Sequence, residues 1–172
     1  MNPATPRICS FPPVATADAR WLILGSMPGE ASLAAGQYYA HPRNQFWPIM
    51  GELFGAGPEQ PYGVRLELLQ RHGIALWDVL ESCVRSGSLD SAIVAARPND
   101  FVRFFAEHPG IRHVFCNGTL AYNSFHRLVL PILPEPWTFE LTRLPSTSPA
   151  HAAMSRADKA VAWRHSLKLA IT

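Results

Sequence analysis

The chain alternates between short apolar runs and amphipathic stretches. WLILG (21–25) is continuously apolar and closes on a glycine, the pattern of a strand buried on both faces. IALWDVL (74–80) and HVFCNG (113–118) repeat that pattern, and WTFELTRL (137–144) alternates well enough to be a fourth strand. Between them the spacing predicts helices. Asn44 caps one that runs to about Phe54, with Phe46, Trp47, Met50 and Phe54 on one side. VRLELLQRHG (64–73) is a second, stopped by Gly73, and Asn99 caps a third over DFVRFFAEHPG. A fourth spans Thr119 to about Val129, and Ser155 with Asp158 forms a capping box that opens the last. Residues 1–20 read as an irregular lead-in and residues 86–98 as less regular chain.

Strand and helix therefore alternate four times. That order predicts an α/β fold, a central, mostly parallel four-stranded sheet flanked by helices in a three-layer sandwich. Ligands of such sheets sit beyond the carboxyl ends of the strands. Here those ends are GSMPG, the Asp78 region, NGT after Cys116, and PSTSPAHA after Leu144. The site is thus located before its chemistry is known.

Composition narrows the classes. A chain of 172 residues, 48% hydrophobic and 16% charged, suits one globular domain spanning 1–172. No apolar run is long enough to cross a bilayer, and the N-terminus lacks the order of a signal peptide. Cys9, Cys83 and Cys116 are far apart and odd in number, which points to a reducing, cytoplasmic setting. The net charge is only +2, yet Arg143, Arg156, Lys159, Arg164 and Lys168 face only Glu140 and Asp158 in the last 36 residues. That is either a basic face able to hold a few phosphates or a solvated helix surface.

The polar loops exclude several chemistries. GSMPG has neither GxGxxG spacing nor a GK[ST] phosphate loop. Ser26, Ser146 and Ser148 sit in no GxSxG elbow, which argues against a serine hydrolase. The seven histidines are scattered, so no metal site is expected, and no cofactor is called for. AHPRNQFW places an amide two residues before a large aromatic. Asn44 and Phe46 read either as a helix cap with a core ring, or as an amide and a stacking surface for a flat ligand. PSTSPAHA holds three hydroxyls and His151 between prolines, either a phosphate-binding loop or a plain proline-rich turn.

GSMPG with YYAHPRNQFWPI, ALWDVLESC, VFCNGTLAY, GSLDS and LPSTSPAHA resembles the uracil-DNA glycosylase superfamily over residues 20–170, and most closely its hypoxanthine-DNA glycosylase (deoxyinosine) branch. Met27 stands where the mismatch-specific branch has Asn and the uracil-specific branch has Asp, and Leu144 stands where several branches open their second motif with His or Asn. The resemblance implies a monofunctional enzyme that hydrolyses the N-glycosidic bond of a deaminated base, hypoxanthine favoured, in double-stranded DNA for base excision repair. It implies that Asn44 carries the catalytic amide and that Phe46 stacks on the flipped base. Gly25, Ser26, Met27, Pro28, Tyr39, His41, Asp78 and Asn117 would complete the base pocket. Pro145, Ser146, Thr147, Ser148, Pro149 and His151 would hold the DNA, with 149–151 wedging into the duplex. The protein is expected to act as a monomer near the bacterial nucleoid. Other readings are a uracil or mismatch enzyme of the same superfamily, a non-catalytic reader of damaged DNA, and an enzyme acting on a free nucleoside.

Overall fold

A computed structural model describes residues 4–171. Its centre is a parallel sheet in the order β3–β2–β6–β7, formed by β2 (Trp21–Gly25), β3 (Ile74–Asp78), β6 (His113–Asn117) and β7 (Glu140–Leu144). Leu22 pairs with Ala75 on one side and Val114 on the other, and Val114 pairs in turn with Leu141. Side chains alternate across such a sheet. Leu22, Leu24, Ala75, Trp77, Val114 and Cys116 therefore enter one core, and Ile23, Ile74, Leu76 and Phe115 the other. The first is covered by Phe101 and Phe104 of α4 (Phe101–Glu107) and by Ala121 of α5 (Thr119–Ser124). The second is covered by α2 (Phe46–Phe54), α3 (Tyr62–Arg71) and α6 (Arg156–Ile171), which contribute Met50, Leu69 and Trp163. This is the expected three-layer sandwich.

The expected strand over 74–80 is two strands. At Val79 the backbone N–H turns to Gly25 O, and the chain continues as β4 (Leu80–Val84) in another sheet. That sheet is antiparallel, ordered β1–β4–β5, with β1 (Arg7–Cys9) and β5 (Val94–Pro98) on its edges. Both edge strands lie in segments read as irregular. β1 has only three residues and β5 is largely exposed, so neither carries an apolar signal, and their pairing is non-local.

Helix ends differ in detail. Asp100, not Asn99, caps α4 by accepting the Arg103 N–H. Asn99 is buried and instead donates to Asp78 O at 2.8 Å. The helix after β6 widens at Phe125 into a π turn over Phe125–Val129. α1 (Glu30–Ala35) fills part of the connection after GSMPG. The Ser155 capping box is present: its hydroxyl accepts the Asp158 N–H and donates to that residue's carboxylate.

Candidate active site

β2 has β3 on one side and β6 on the other, so consecutive crossovers leave in opposite directions and open a crevice at their carboxyl ends. A cleft of about 1020 Å³ lies there, between GSMPG, the 38–44 loop, Asp78, Asn117 and the 146–151 loop. A smaller hollow of about 380 Å³ lies at the opposite, amino ends of the strands, around Trp21 and His113. The two distant motifs thus meet in one place. They are joined directly, since the Gln45 N–H donates to Thr147 O at 3.0 Å.

Asn44 lines this cleft one residue before Gln45, the N-cap of α2, and is tied to the first helical N–H. Its Oδ1 accepts the Phe46 N–H at 2.9 Å. A backbone N–H only donates, so this bond fixes which way round the amide sits. The NH₂ group is left without a hydrogen bond among the described residues. Both roles open in the sequence are compatible in one side chain. His41 lines the cleft beside it, and its Nδ1 accepts the Arg43 N–H, so the ring's other nitrogen faces outward.

Phe46 is not in the cleft. It is fully buried, and Tyr39 lies over it, ring centroids 4.0 Å apart and planes within 27°. The ring that lines the cleft is Tyr39. The stacking surface expected from Phe46 is therefore one layer further out, and Phe46 is the core ring of its alternative reading. Tyr39 adopts φ 55°, an uncommon conformation for a residue with a side chain. That strain sits at the site and turns the phenol inward. Burial, reinforced by Asp78, keeps the phenol protonated. Its hydroxyl is buried without a partner, and the Asn117 amide approaches without reaching hydrogen-bond geometry.

Asp78 ends β3 only 3% exposed, with Oδ2 also unpartnered among the described residues. Burial first, then the charge of Asp90, pushes its carboxyl up to about 7, while Arg85 opposes the shift. A Cβ on Gly25 would stand 2.4 Å from Asp78 Oδ1 and 3.1 Å from Tyr39 Oη. Glycine at the end of β2 is what lets this acid and this phenol share the cleft floor. Two unsatisfied buried oxygens beside an open cleft mark a place for a polar ligand.

The second motif divides into holders and presenters. Thr147 is 1% exposed, its N–H donating to Asn117 Oδ1 and its hydroxyl accepting from Asn117 Nδ2, each at 2.9 Å. The two side chains brace each other and both line the cleft, and one N–H of the Asn117 amide is left over toward it. Pro145 lies outside the cleft, and its carbonyl accepts from Trp163 Nε1. Ser146, Ser148, Pro149 and His151 do line the opening. Ser26 and Pro28 are in the cleft wall, and Met27 lines it while packing into the first core.

Sequence reasoning missed three residues. Lys159 of α6 is 4% exposed and donates to Ser148 O at 3.1 Å and His151 O at 2.7 Å, so it holds the PSTSPAHA loop rather than a solvated face. The signal in the sequence is that Lys159 and Lys168 are its only lysines. Arg85 and Asp90, in the segment after β4, reach the GSMPG turn through contacts no local pattern announces.

The sequence model of the uracil DNA glycosylase superfamily matches residues 12–167. This chain belongs to that superfamily. A hypoxanthine DNA glycosylase of Methanosarcina acetivorans is 33% identical over 147 residues, 85% of this chain and 89% of its own. One from Methanosarcina barkeri is 39% identical over 109 residues, 63% of this chain and 69% of that protein. The solution NMR structure of a protein from M. acetivorans, described as a candidate uracil DNA glycosylase, superposes with a TM-score of 0.75 at 31% identity, covering 92% of this chain and 98% of that one. The fold, its sheet and its crevice are those of the superfamily.

Proposed function

We propose that this protein is a DNA glycosylase that hydrolyses the bond between deoxyribose and a deaminated base, with hypoxanthine preferred, and that the 172 residues work as one domain. The observation that carries this reading is the Asn44 amide, anchored through its oxygen to α2 and offering unpartnered N–H donors to the cleft shared by both motifs. The relatives named as hypoxanthine DNA glycosylases support the preferred base.

The base must leave the duplex to reach so recessed a floor, and a mispaired lesion is cheaper to flip. Tyr39 stacks on it, while the unpartnered Asp78 carboxyl meets its polar edge. Ser146, Ser148 and the neighbouring backbone hold the flanking phosphates, and Pro149, Ala150 and His151 enter the vacated stack. As the glycosidic bond breaks, the electron pair goes to the base. Asn44 N–H groups then stabilise charge on the leaving base or fix the attacking water. Lys159 is engaged by two carbonyls and does not supply a Schiff-base amine, so the product is an intact abasic site. The working location is wherever the cell keeps its DNA; among the described residues no helix is long and apolar enough to cross a membrane.

Duplexes carrying one inosine, xanthine or uracil, treated with alkali after incubation, test the reading. Asn44→Asp retains a capping oxygen but removes the N–H donors. Its excision of inosine should fall about 100-fold while its melting temperature stays near wild type. Binding without product from the wild type would make the protein a damage reader. Consumption of free nucleoside without action on DNA would make it a small-molecule enzyme. A borohydride-trapped adduct would contradict the monofunctional assignment.

A further inference from the structure

The motif-one turn carries no acid: Met27 packs into the core and Ser26 faces the cleft. The Ser26 hydroxyl nevertheless donates to a carboxylate, Asp90 Oδ1, at 3.1 Å across 64 positions of sequence. The segment bearing Asp90 is stitched to this turn twice more. Arg85, 4% exposed, donates from one guanidinium nitrogen to Pro28 O and from Nε to Gly87 O. Ser88 Oγ accepts the Glu30 N–H at 2.8 Å. A hairpin connection is thereby fastened to motif one, and its effect is to set a carboxylate on the cleft wall. We propose that Asp90, held by Ser26, is the carboxylate that serves glycosidic cleavage in this protein, in place of one within motif one. This rests on the glycosylase reading above.

The other acids of the cleft are less suited. Asp78 lies on the floor with an unpartnered, deeply buried oxygen, an arrangement that favours its neutral form. Glu30 heads α1. Asp90 lines the cleft as an exposed residue; desolvation of its carboxyl still raises it above the usual carboxylate range, as suits a group that takes a proton, while the Ser26 hydroxyl and then Arg85 oppose that rise. In the reaction the C1′–N bond breaks with its electron pair on the base, leaving an oxocarbenium-like sugar. Asp90 offsets that positive charge. The water oxygen bonds to C1′, its proton passes to the Asp90 carboxylate and on to solvent, and the base takes a proton from solvent.

Single-turnover excision at saturating enzyme, measured beside affinity for a duplex containing a tetrahydrofuran abasic analogue, tests this. Asp90→Asn should lower the excision rate about 100-fold with wild-type affinity and melting temperature. Asp90→Glu should recover at least part of the loss, and Ser26→Ala, which frees the carboxylate without removing it, should cost less than Asp90→Asn. An active wild type with Asp90→Asn reduced less than tenfold overturns the assignment alone, as does a loss accounted for by weaker binding. A wild type inactive on inosine, xanthine and uracil overturns the glycosylase reading and this assignment with it.

Discussion

Asp78 illustrates how one side chain at the cleft floor costs stability. Its carboxyl is almost wholly enclosed and titrates near 7 in the fold against 3.8 for the free side chain. The folded state therefore holds a proton that the unfolded chain releases. Between about pH 4 and pH 7 stability falls as pH rises, and above 7 the loss is complete. Asp78→Asn removes the titration. Thermal unfolding across pH 4–8 should show the variant stabilised relative to wild type at pH 8, by a few kcal/mol at most, with the difference shrinking steadily toward pH 4. Asn44 and Phe46 show how far single residues were legible. The cap was readable from Asn followed by an apolar helix. That Tyr39 shields Phe46 was not, because it depends on the strained backbone at Tyr39 and on a ring two turns of chain away.

At the scale of elements, three of the four parallel strands were readable as nearly unbroken apolar runs, as burial on both faces demands, and the edge strand β7 from its alternation. The second sheet was not, since its edge strands are short or exposed and acquire their form by pairing with β4. The 146–151 loop also depends on another element. α6 reaches it through Lys159, whose ammonium satisfies two carbonyls that would otherwise lose their donor. Burial lowers the pKa of that amine, but donation to two carbonyl oxygens suits the charged form. Lys159→Met should weaken binding to duplexes with and without a lesion alike, about tenfold, equivalent to about 1.4 kcal/mol, in a fluorescence-anisotropy titration. A drop confined to the lesion duplex would place Lys159 in base recognition instead.

Across the whole molecule the charge is nearly balanced, at +2 over 172 residues, and the cleft walls carry Asp78, Asp90 and Glu30 against Arg43. Such a surface grips few phosphates through cations and relies on hydroxyls and backbone N–H groups for the rest. The slope of log Kobs against log salt for duplex binding should therefore be shallow, about −1 to −3. A slope near −6 would require a basic face elsewhere to engage the DNA. The sequence by itself determined the layered fold, the end of the sheet at which the site lies, and the superfamily, because these follow from local apolar periodicity and short motifs at strand ends. Only the tertiary structure decided that Tyr39 rather than Phe46 lines the cleft, that Thr147 and Asn117 brace each other, and that Lys159, Arg85 and Asp90 hold the loops around it. Those outcomes hang on hydrogen bonds and burial between residues far apart in the chain, where no spacing pattern carries the information.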